Sequence, residues 1–124
     1  MKVLIADGVS QMAVDILKDD FDCDVRDKLP AEELLSIIPD YDALIVRSAS
    51  KVTAEVIAAA KNLKIIGRAG VGVDNIDLDA ATQKGIIVVN SPDGNTMAAA
   101  EHTLALMLAM ARNIAPAAIS TKEG

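Results

Sequence analysis

The chain has almost no aromatic residues: its 124 residues include no tryptophan, one tyrosine and one phenylalanine. Because 52% of the residues are nevertheless hydrophobic, the core has to be built from Ile, Leu, Val, Ala and Met. A chain of this length buries such a core without disulfides or metal ions. Aliphatic runs of this kind suit strands that are buried on both faces.

Cysteine is almost absent as well. Cys23 is the only one, so no internal disulfide can form, and its neighbours Asp22 and Asp24 disfavour a reactive thiolate. We therefore interpret Cys23 as a small buried residue or an idle thiol. A lone cysteine would be unusual in a secreted domain, so we expect a cytoplasmic location.

Basic residues and long apolar runs are also scarce. Twelve Lys and Arg against 18 Asp and Glu give a net charge of −6, which argues against a nucleic-acid partner. The longest uncharged apolar stretch, Thr103 to Ala111, is far short of the ~20 residues that a membrane span needs. The apolar start of the chain reaches Asp7 too soon for a signal peptide. We therefore expect no nucleic acid, membrane or signal peptide.

Short aliphatic runs alternate with amphipathic segments along most of the chain. Five runs predict strands, the second of them weak and at an edge: Val3–Ala6, Cys23–Arg26, Ala43–Val46, Ile65–Gly67 (which runs on into Arg68) and Ile86–Val89. Helices are expected after Ser10, Pro30, Thr53 and Asp77, which suit helix starts. Strands that alternate with helices predict an α/β fold with a five-stranded parallel sheet flanked by helices.

A last helix is predicted from Asn95 or Thr96 to about Ile114, with Pro116 marking its end. It is apolar nearly all round, and such a helix is expected to be buried. Two arrangements would bury it, and the pattern does not decide between them. The helix either folds back onto the sheet as a fifth helix or packs against another chain.

Two of the predicted strands lead into arginine, at Arg47 and Arg68. Ligands of open parallel sheets bind beyond the carboxyl ends of the strands. A planar guanidinium placed there matches the oxygens of a carboxylate or phosphate. The alternative is an ion pair with a nearby aspartate. Two such arginines beside a glycine loop favour an anion site.

The glycine loop does not fit a dinucleotide fingerprint. Gly70-Val71-Gly72 is followed by Val73-Asp74-Asn75, so asparagine stands where a third glycine or alanine is required. The next helix starts only at about Asp77. The two glycines still allow backbone N–H groups to converge on an anion, or they form a plain turn that needs positive φ.

Residues for other chemistry are missing. The only histidine, His102, lies beside Glu101, but adjacent helical residues do not face each other. We interpret His102 as a packing or surface residue. No Walker motif or Ser-His-Asp set is present, and His102 with Cys23 cannot form a metal site without many more ligands.

Three segments together resemble the D-2-hydroxyacid dehydrogenase family, in particular its 3-phosphoglycerate dehydrogenase branch. They are Val46–Thr53, Gly67–Asp77 and Asn90–Asn95, and they occur in the family's order and spacing. The resemblance covers essentially the whole chain and implies a flavodoxin-like substrate domain.

The resemblance also implies roles for individual residues. In the family, the glycine-loop backbone meets the substrate carboxylate, and the residue at position 71 borders the nicotinamide. The residue at position 95 lies near the substrate. The implied substrate-binding residues are Arg47, Ser48, Arg68, Gly70, Val71, Gly72 and Asn95, with Val71 bordering the cofactor.

The resemblance further implies what lies outside this chain. The family's NAD-binding Rossmann domain would follow Gly124 and would hold the fingerprint and the catalytic Arg, Glu and His. The implied enzyme oxidises 3-phosphoglycerate with NAD, in serine biosynthesis. We expect this chain to contain no catalytic residue, to bind no NAD and to be inactive alone. Its implied organisation is a substrate domain at 1–95 and a hinge and interface helix at 96–124, with a possible homodimer through Met97 to Ile114.

Other interpretations remain open at the level of sequence. A receiver domain would need an aspartate after the third strand, where Arg47 stands. A flavodoxin would need a Ser- and Thr-rich phosphate loop after the first strand and aromatic rings to stack on the flavin. The main alternative is a flavodoxin-like domain without catalysis, either a stand-alone anion-binding module or a domain made to study folding.

Overall fold

The computed structural model describes residues 1–124. It divides into two compact units, Met1–Pro92 and Asp93–Gly124. This division falls just before the boundary predicted after residue 95. The two units are described separately.

The first unit contains a five-stranded, fully parallel sheet in the order β2-β1-β3-β4-β5. Its strands are β1 (Lys2–Ile5), β2 (Asp22–Val25), β3 (Ala43–Val46), β4 (Ile65–Arg68) and β5 (Ile87–Asn90). All five predicted strands are present, with ends within one residue of those expected, and β2 is at the edge. The flavodoxin-like order places the reversal of strand sequence between β1 and β3.

Short polar side chains begin three of the helices. Ser10, Thr53 and Asp77 each accept a hydrogen bond from a backbone N–H of the first turn, as helix N-caps do. The helices of this unit are α1 (Gln11–Asp20), α2 (Ala31–Ile37), α3 (Ala54–Ala59) and α4 (Leu78–Gln83). A 3₁₀ turn at Ile38–Asp40 follows α2 directly.

The two faces of the sheet are covered unequally. The larger core cluster includes Leu4, Leu44 and Ile66 of the sheet, together with residues of α2, α3 and α4. The smaller cluster, built around Val3, Ile5, Val14 and Ala43, has α1 as its only helix. Within Met1–Pro92 this second face is therefore open over β4 and β5, where Ile87 is 61% exposed and Val89 46% exposed.

The second unit consists of two helices, α5 (Thr96–Ala111) and α6 (Ile114–Glu123). The prediction that the last helix ends near Pro116 was wrong. Asn113 adopts left-handed backbone angles and ends α5, and a new helix begins at Ile114. Pro116 lies in the first turn of α6. Backbone N–H groups there have no acceptor within the helix, so a proline costs no helical hydrogen bond.

The apolar side chains of α5 are exposed, including Leu104, Met107, Leu108 and Met110. Burial of this helix, against the sheet or against another chain, stays a prediction. A helix that is apolar all round is stable in water only when other protein segments cover it. No single helix is long and apolar enough to cross a membrane, and α5 with α6 reaches that length and composition only across a bend of 58°.

Candidate functional site

Three strands place polar residues at the same edge of the sheet. In the strand register, Val46 of β3 is opposite Arg68 of β4, and Arg68 is opposite Asn90 of β5. Arg47 follows β3 directly. The carboxyl ends of neighbouring parallel strands meet at one edge, so these residues border one region of the surface.

The two arginines face an open groove of about 570 Å³. Its lining combines the apolar residues Leu17, Ile45 and Val89 with Arg47 and Arg68. This groove lies where the second face of the sheet is left uncovered. The structure therefore brings together the two arginines that the sequence singled out.

Neither arginine is paired with a carboxylate. The ion pairs of the chain are Arg26–Asp24, Arg26–Glu33 and Lys64–Asp42. Arg47 donates from Nη1 to the carbonyl oxygen of Gly8 at 3.3 Å, and the Nε of Arg68 is buried without a hydrogen-bond partner. The structure therefore does not contain the alternative arrangement, in which each arginine forms an ion pair with an aspartate.

The loop after β3 is held by a buried carboxylate that the sequence analysis did not include in the site. Asp7, 4% exposed, accepts hydrogen bonds from the N–H of Arg47 at 2.6 Å and of Ser50 at 3.1 Å. Its other oxygen accepts from the hydroxyl of Ser50 at 2.6 Å. The N–H groups of Arg47 and Ser50 are thus bound to a carboxylate of the chain itself.

Those hydrogen bonds also keep Asp7 ionised. Burial alone would raise the pKa of Asp7, but the hydroxyl of Ser50 and the backbone N–H groups of Ser50, Arg47 and Ala49 outweigh it. The net result is a pKa below the ordinary 3.8. Hydrogen bonds to the charged form favour that form, so Asp7 is a fixed negative charge beneath the loop.

Asn75 holds the carbonyl side of the same loop. Its side-chain N–H₂ donates to the carbonyl oxygens of Arg47 at 2.7 Å and Ser50 at 2.6 Å. Its Oδ1 is buried without a partner. Asp7 thus binds N–H groups of this loop and Asn75 binds two of its carbonyl oxygens, so both kinds of backbone group are tied to side chains of the chain itself.

The loop after β4 has a different arrangement. Its carbonyl oxygens are tied to the end of β5: Asn90 Nδ2 donates to the carbonyl of Val71 at 2.7 Å, and the N–H of Ser91 donates to the carbonyl of Gly70 at 3.0 Å. No hydrogen bond within the chain uses the N–H of Val71 or Gly72. This loop therefore offers backbone donors.

Gly70 is required for space and not for an unusual backbone angle. The glycines with positive φ are Gly85 and Gly124, so the plain-turn alternative, which needs positive φ, does not describe the Gly70–Gly72 loop. A Cβ at Gly70 would collide with Nη1 of Arg68 and lie 2.9 Å from its Cζ. The Arg68 guanidinium therefore lies directly against the backbone of Gly70.

The remaining predicted residues are more scattered. Ser48 borders a second hollow of about 530 Å³ with Lys51 and Asn75. Asn95 occupies the N-cap position of α5 without a side-chain capping bond, and it belongs to the second unit. A role for either residue at the site remains a prediction.

Cys23 and His102 do not form a site. Cys23 is half-buried, and its pKa is raised above the ordinary 9.0, mainly by burial and also by Asp22, despite the opposing charge of Lys18. His102 is exposed on α5. No group of three or more His, Cys, Asp or Glu residues is arranged to hold a metal ion.

The sequence contained signals for the three residues that the prediction missed. Asp7 follows β1 at the strand-order reversal, Asn90 ends β5, and Asn75 stands where a dinucleotide fingerprint would have glycine. Each is a polar residue beside a strand end or glycine loop. What the sequence did not show is which backbone groups these side chains bind.

Comparison with known proteins agrees with this architecture. The family model of the D-isomer specific 2-hydroxyacid dehydrogenase catalytic domain matches residues 3–124. Among solved structures, the TT0316 protein from Thermus thermophilus covers 100% of this chain with a TM-score of 0.87 and 37% identity. The cofactor (NAD+) bound 3-phosphoglycerate dehydrogenase of Entamoeba histolytica covers 88% of it with a TM-score of 0.76 and 32% identity. The chain covers 41% and 38% of those two chains.

Curated relatives are similar over the full length of this chain. D-3-phosphoglycerate dehydrogenase of Archaeoglobus fulgidus is 58% identical over 125 residues, covering 100% of this chain, and that of Synechocystis sp. is 57% identical over 122 residues, covering 98%. The chain spans only 24% and 22% of the length of these two relatives. The chain belongs to the D-isomer specific 2-hydroxyacid dehydrogenase family.

Proposed function

We propose that this chain supplies the substrate-binding part of an NAD-dependent 3-phosphoglycerate dehydrogenase. The observation that carries the proposal is that two arginines without carboxylate partners and a loop with two unused backbone N–H groups, those of Val71 and Gly72, lie at one edge of the sheet. Relatives that bear the name D-3-phosphoglycerate dehydrogenase, at 57% and 58% identity, support the choice of 3-phosphoglycerate as the substrate.

The two loops suit the two ends of such a substrate. A carboxylate oxygen is well bound by adjacent backbone N–H groups, which the loop after β4 offers at Val71 and Gly72. A phosphate is well bound by guanidinium groups, which Arg47 and Arg68 offer, with Ser48 as a hydroxyl donor. Asn95 is proposed as a further contact, and Val71 as the residue bordering the nicotinamide.

NAD itself does not fit the residues present. No helix begins after Gly72, because α4 begins only at Leu78 and has six residues. The turn after β1 carries the buried anion Asp7, where a pyrophosphate would meet like charge. We therefore propose that this chain binds no NAD and contributes no catalytic acid or base.

In the complete enzyme, the 2-hydroxyl carbon would lose a hydride to NAD and the hydroxyl oxygen a proton to a base, giving 3-phosphohydroxypyruvate. The residues of this chain would hold and orient the substrate for that step. Alone, the chain should produce no NADH from 3-phosphoglycerate and NAD. A rise in NADH absorbance with the pure chain would contradict this.

Amide NMR of the labelled chain tests the binding proposal. Addition of 3-phosphoglycerate should shift the resonances of Val71, Gly72, Arg47 and Arg68. Glycerate, which lacks the phosphate, should still shift Val71 and Gly72 but bind more weakly. Glycerol 3-phosphate, which lacks the carboxylate, should act mainly on the arginines. A well-dispersed spectrum that none of the three ligands changes would contradict the proposal.

We also propose that α5 pairs two copies of the chain through Met97 to Ile114, because its apolar side chains are exposed along its length. The cytoplasm remains the expected location. Light scattering should give about twice the 13.0 kDa mass of the chain. A mass equal to 13.0 kDa at high concentration would rule the pairing out.

A further inference from the structure

The direction of the two free N–H groups follows from what holds the loop after β4. The carbonyl of Gly70 accepts from the N–H of Ser91, and the carbonyl of Val71 accepts from Asn90 Nδ2. In a trans peptide the carbonyl and the following N–H point in opposite directions, and the chain has no cis peptide bond. The N–H groups of Val71 and Gly72 therefore both point away from the end of β5.

The two anchors differ in kind. The bond from Ser91 is made by backbone and would survive a substitution there. The bond from Asn90 is made by a side chain, so it depends on the residue type. Asn90 fixes the peptide between Val71 and Gly72, and hence the direction of the Gly72 N–H alone.

We infer that Asn90 is a positioning residue for the anion-binding loop: its side-chain amide holds the Val71 carbonyl so that the Gly72 N–H is presented to the substrate anion. The inference rests on the proposed function and adds the residue that orients one of its two backbone donors.

The packing around Asn90 makes this role testable without loss of the fold. Asn90 is exposed and ends β5, and it belongs to neither core cluster. Asn62 provides a matched control, because its Nδ2 also donates to one backbone carbonyl, that of Pro39, at 2.9 Å. Asn62 is likewise exposed, and its bond does not involve the glycine loop.

The experiment compares N90A, N90Q and N62A with the unchanged chain by amide NMR during titration with 3-phosphoglycerate. N90A should bind about threefold to tenfold more weakly, as expected for one orienting hydrogen bond. Its Gly72 resonance should lose most of its ligand shift, while that of Val71 still moves. N90Q, which keeps the amide donor, should regain part of the affinity, and N62A should bind like the unchanged chain.

A second readout keeps the inference independent of substrate binding. In the ligand-free chain, ¹⁵N relaxation should show a lower order parameter for Gly72 in N90A but not in N62A. If the unchanged chain binds no 3-phosphoglycerate, the proposed function fails, and the relaxation result alone decides on Asn90. Unchanged order at Gly72, or an affinity of N90A equal to that of N62A, would overturn the inference.

Discussion

Arg68 keeps its position because residue 70 has no side chain. Its guanidinium lies against the Gly70 backbone, and it has no hydrogen-bond partner at Nε. Residue 70, two positions after Arg68, therefore has to be glycine for the guanidinium to lie where it does. In the structure the guanidinium occupies the space that a Cβ at residue 70 would take.

Gly70→Ala should displace the Arg68 guanidinium, since the end of that side chain is the part that can move. We expect 3-phosphoglycerate affinity to fall about tenfold, as for a lost charge-assisted hydrogen bond, with little change in stability. Gly67→Ala in β4 is the control, because its Cβ would make only ordinary contacts, at 3.8 Å from Ile45 Cγ1 and 4.0 Å from Val89 Cγ2. Equal affinity losses in the two variants, measured by NMR titration, would contradict this account.

Asp7→Asn should destabilise the first unit by about 2 kcal/mol at neutral pH, because an amide cannot accept all the bonds that the carboxylate accepts. The lowered pKa of Asp7 means that its stabilisation is present above the ordinary value of 3.8. It is lost as pH falls through the lower folded pKa. Urea unfolding should therefore show that the difference in free energy of unfolding between the unchanged chain and the Asp7→Asn variant becomes smaller as the pH falls.

Asp19→Asn, at an exposed carboxylate of α1, should change stability little at any of those pH values. If the difference in free energy of unfolding between the Asp7→Asn variant and the unchanged chain stays constant down to strongly acidic pH, Asp7 acts by packing and not by its charge.

The sequence predicted the two arginines of the site but not the residues that hold its loops in place. Arg47 and Arg68 were predictable because a cation after a buried aliphatic run is visible in the sequence. Asp7, Asn75 and Asn90 were not, because their function depends on which backbone groups they reach. Asp7 and Arg47 are 40 positions apart in the chain, and only the pairing of β1 with β3 brings them together.

At the scale of elements, the exposed edge strand β2 is tied to the body of the sheet by Tyr41. The phenol of Tyr41 donates to Asp24 Oδ2 at 2.5 Å, and Asp24 also accepts from Arg26 Nε at 2.9 Å. Lys2 Nζ lies 4.5 Å from the centre of the tyrosine ring. A single buried ring thus links the edge strand, β1 and the segment that precedes β3.

Burial, together with the hydrogen bond to Asp24, raises the pKa of Tyr41 from 10.0 to about 12. The folded chain should therefore keep this proton after the unfolded chain has lost it. Stability is intact below the unfolded value and should fall as pH rises toward about 12. Since Tyr41 is the only tyrosine and tryptophan is absent, tyrosinate absorbance reports this residue directly, and ionisation near the ordinary pKa of 10.0 in the native chain would contradict the account.

The long helix α5 was located from the sequence, but its surroundings were not. Its apolar residues show that it needs burial, yet a pattern that is apolar all round does not indicate which face contacts what. The missed start of α6 has a separate cause. A proline was interpreted as a stop, although proline is also favoured in the first turn of a new helix.

Leu104→Glu with Leu108→Glu should abolish the proposed pairing of two chains. These residues are four apart and therefore share one face of α5, where both are exposed. Glutamate is a good helix former, so circular dichroism should show unchanged helix content while light scattering gives the monomer mass. A dimer that survives both substitutions would place the contact elsewhere.

At the scale of the whole molecule, the fold was predictable because β and α patterns alternate regularly. Five aliphatic runs separated by capped helices leave few topologies other than a parallel sheet. The strand order was not readable from those runs and came with the family resemblance. That order puts the reversal between β1 and β3, and so brings Asp7 beneath the loop that carries Arg47.

The first unit should fold without the second. Both core clusters are composed only of residues before position 93, and a unit of this size with its own core is expected to be autonomous. A chain ending at Pro92 should therefore unfold in one cooperative transition, followed by circular dichroism during heating. A gradual, non-cooperative loss of signal would show that the core needs more of the chain.

The different anchoring of the two loops has a consequence for handedness. If backbone donors take the carboxylate and side-chain cations take the phosphate, two of the four substituents at carbon 2 of the ligand have fixed places. The hydroxyl and the hydrogen can then exchange positions only by inverting that carbon. Both mirror images would therefore satisfy these two contacts, but they would present the hydroxyl and the hydrogen on opposite sides, so the group that meets the hydrogen would select one of them.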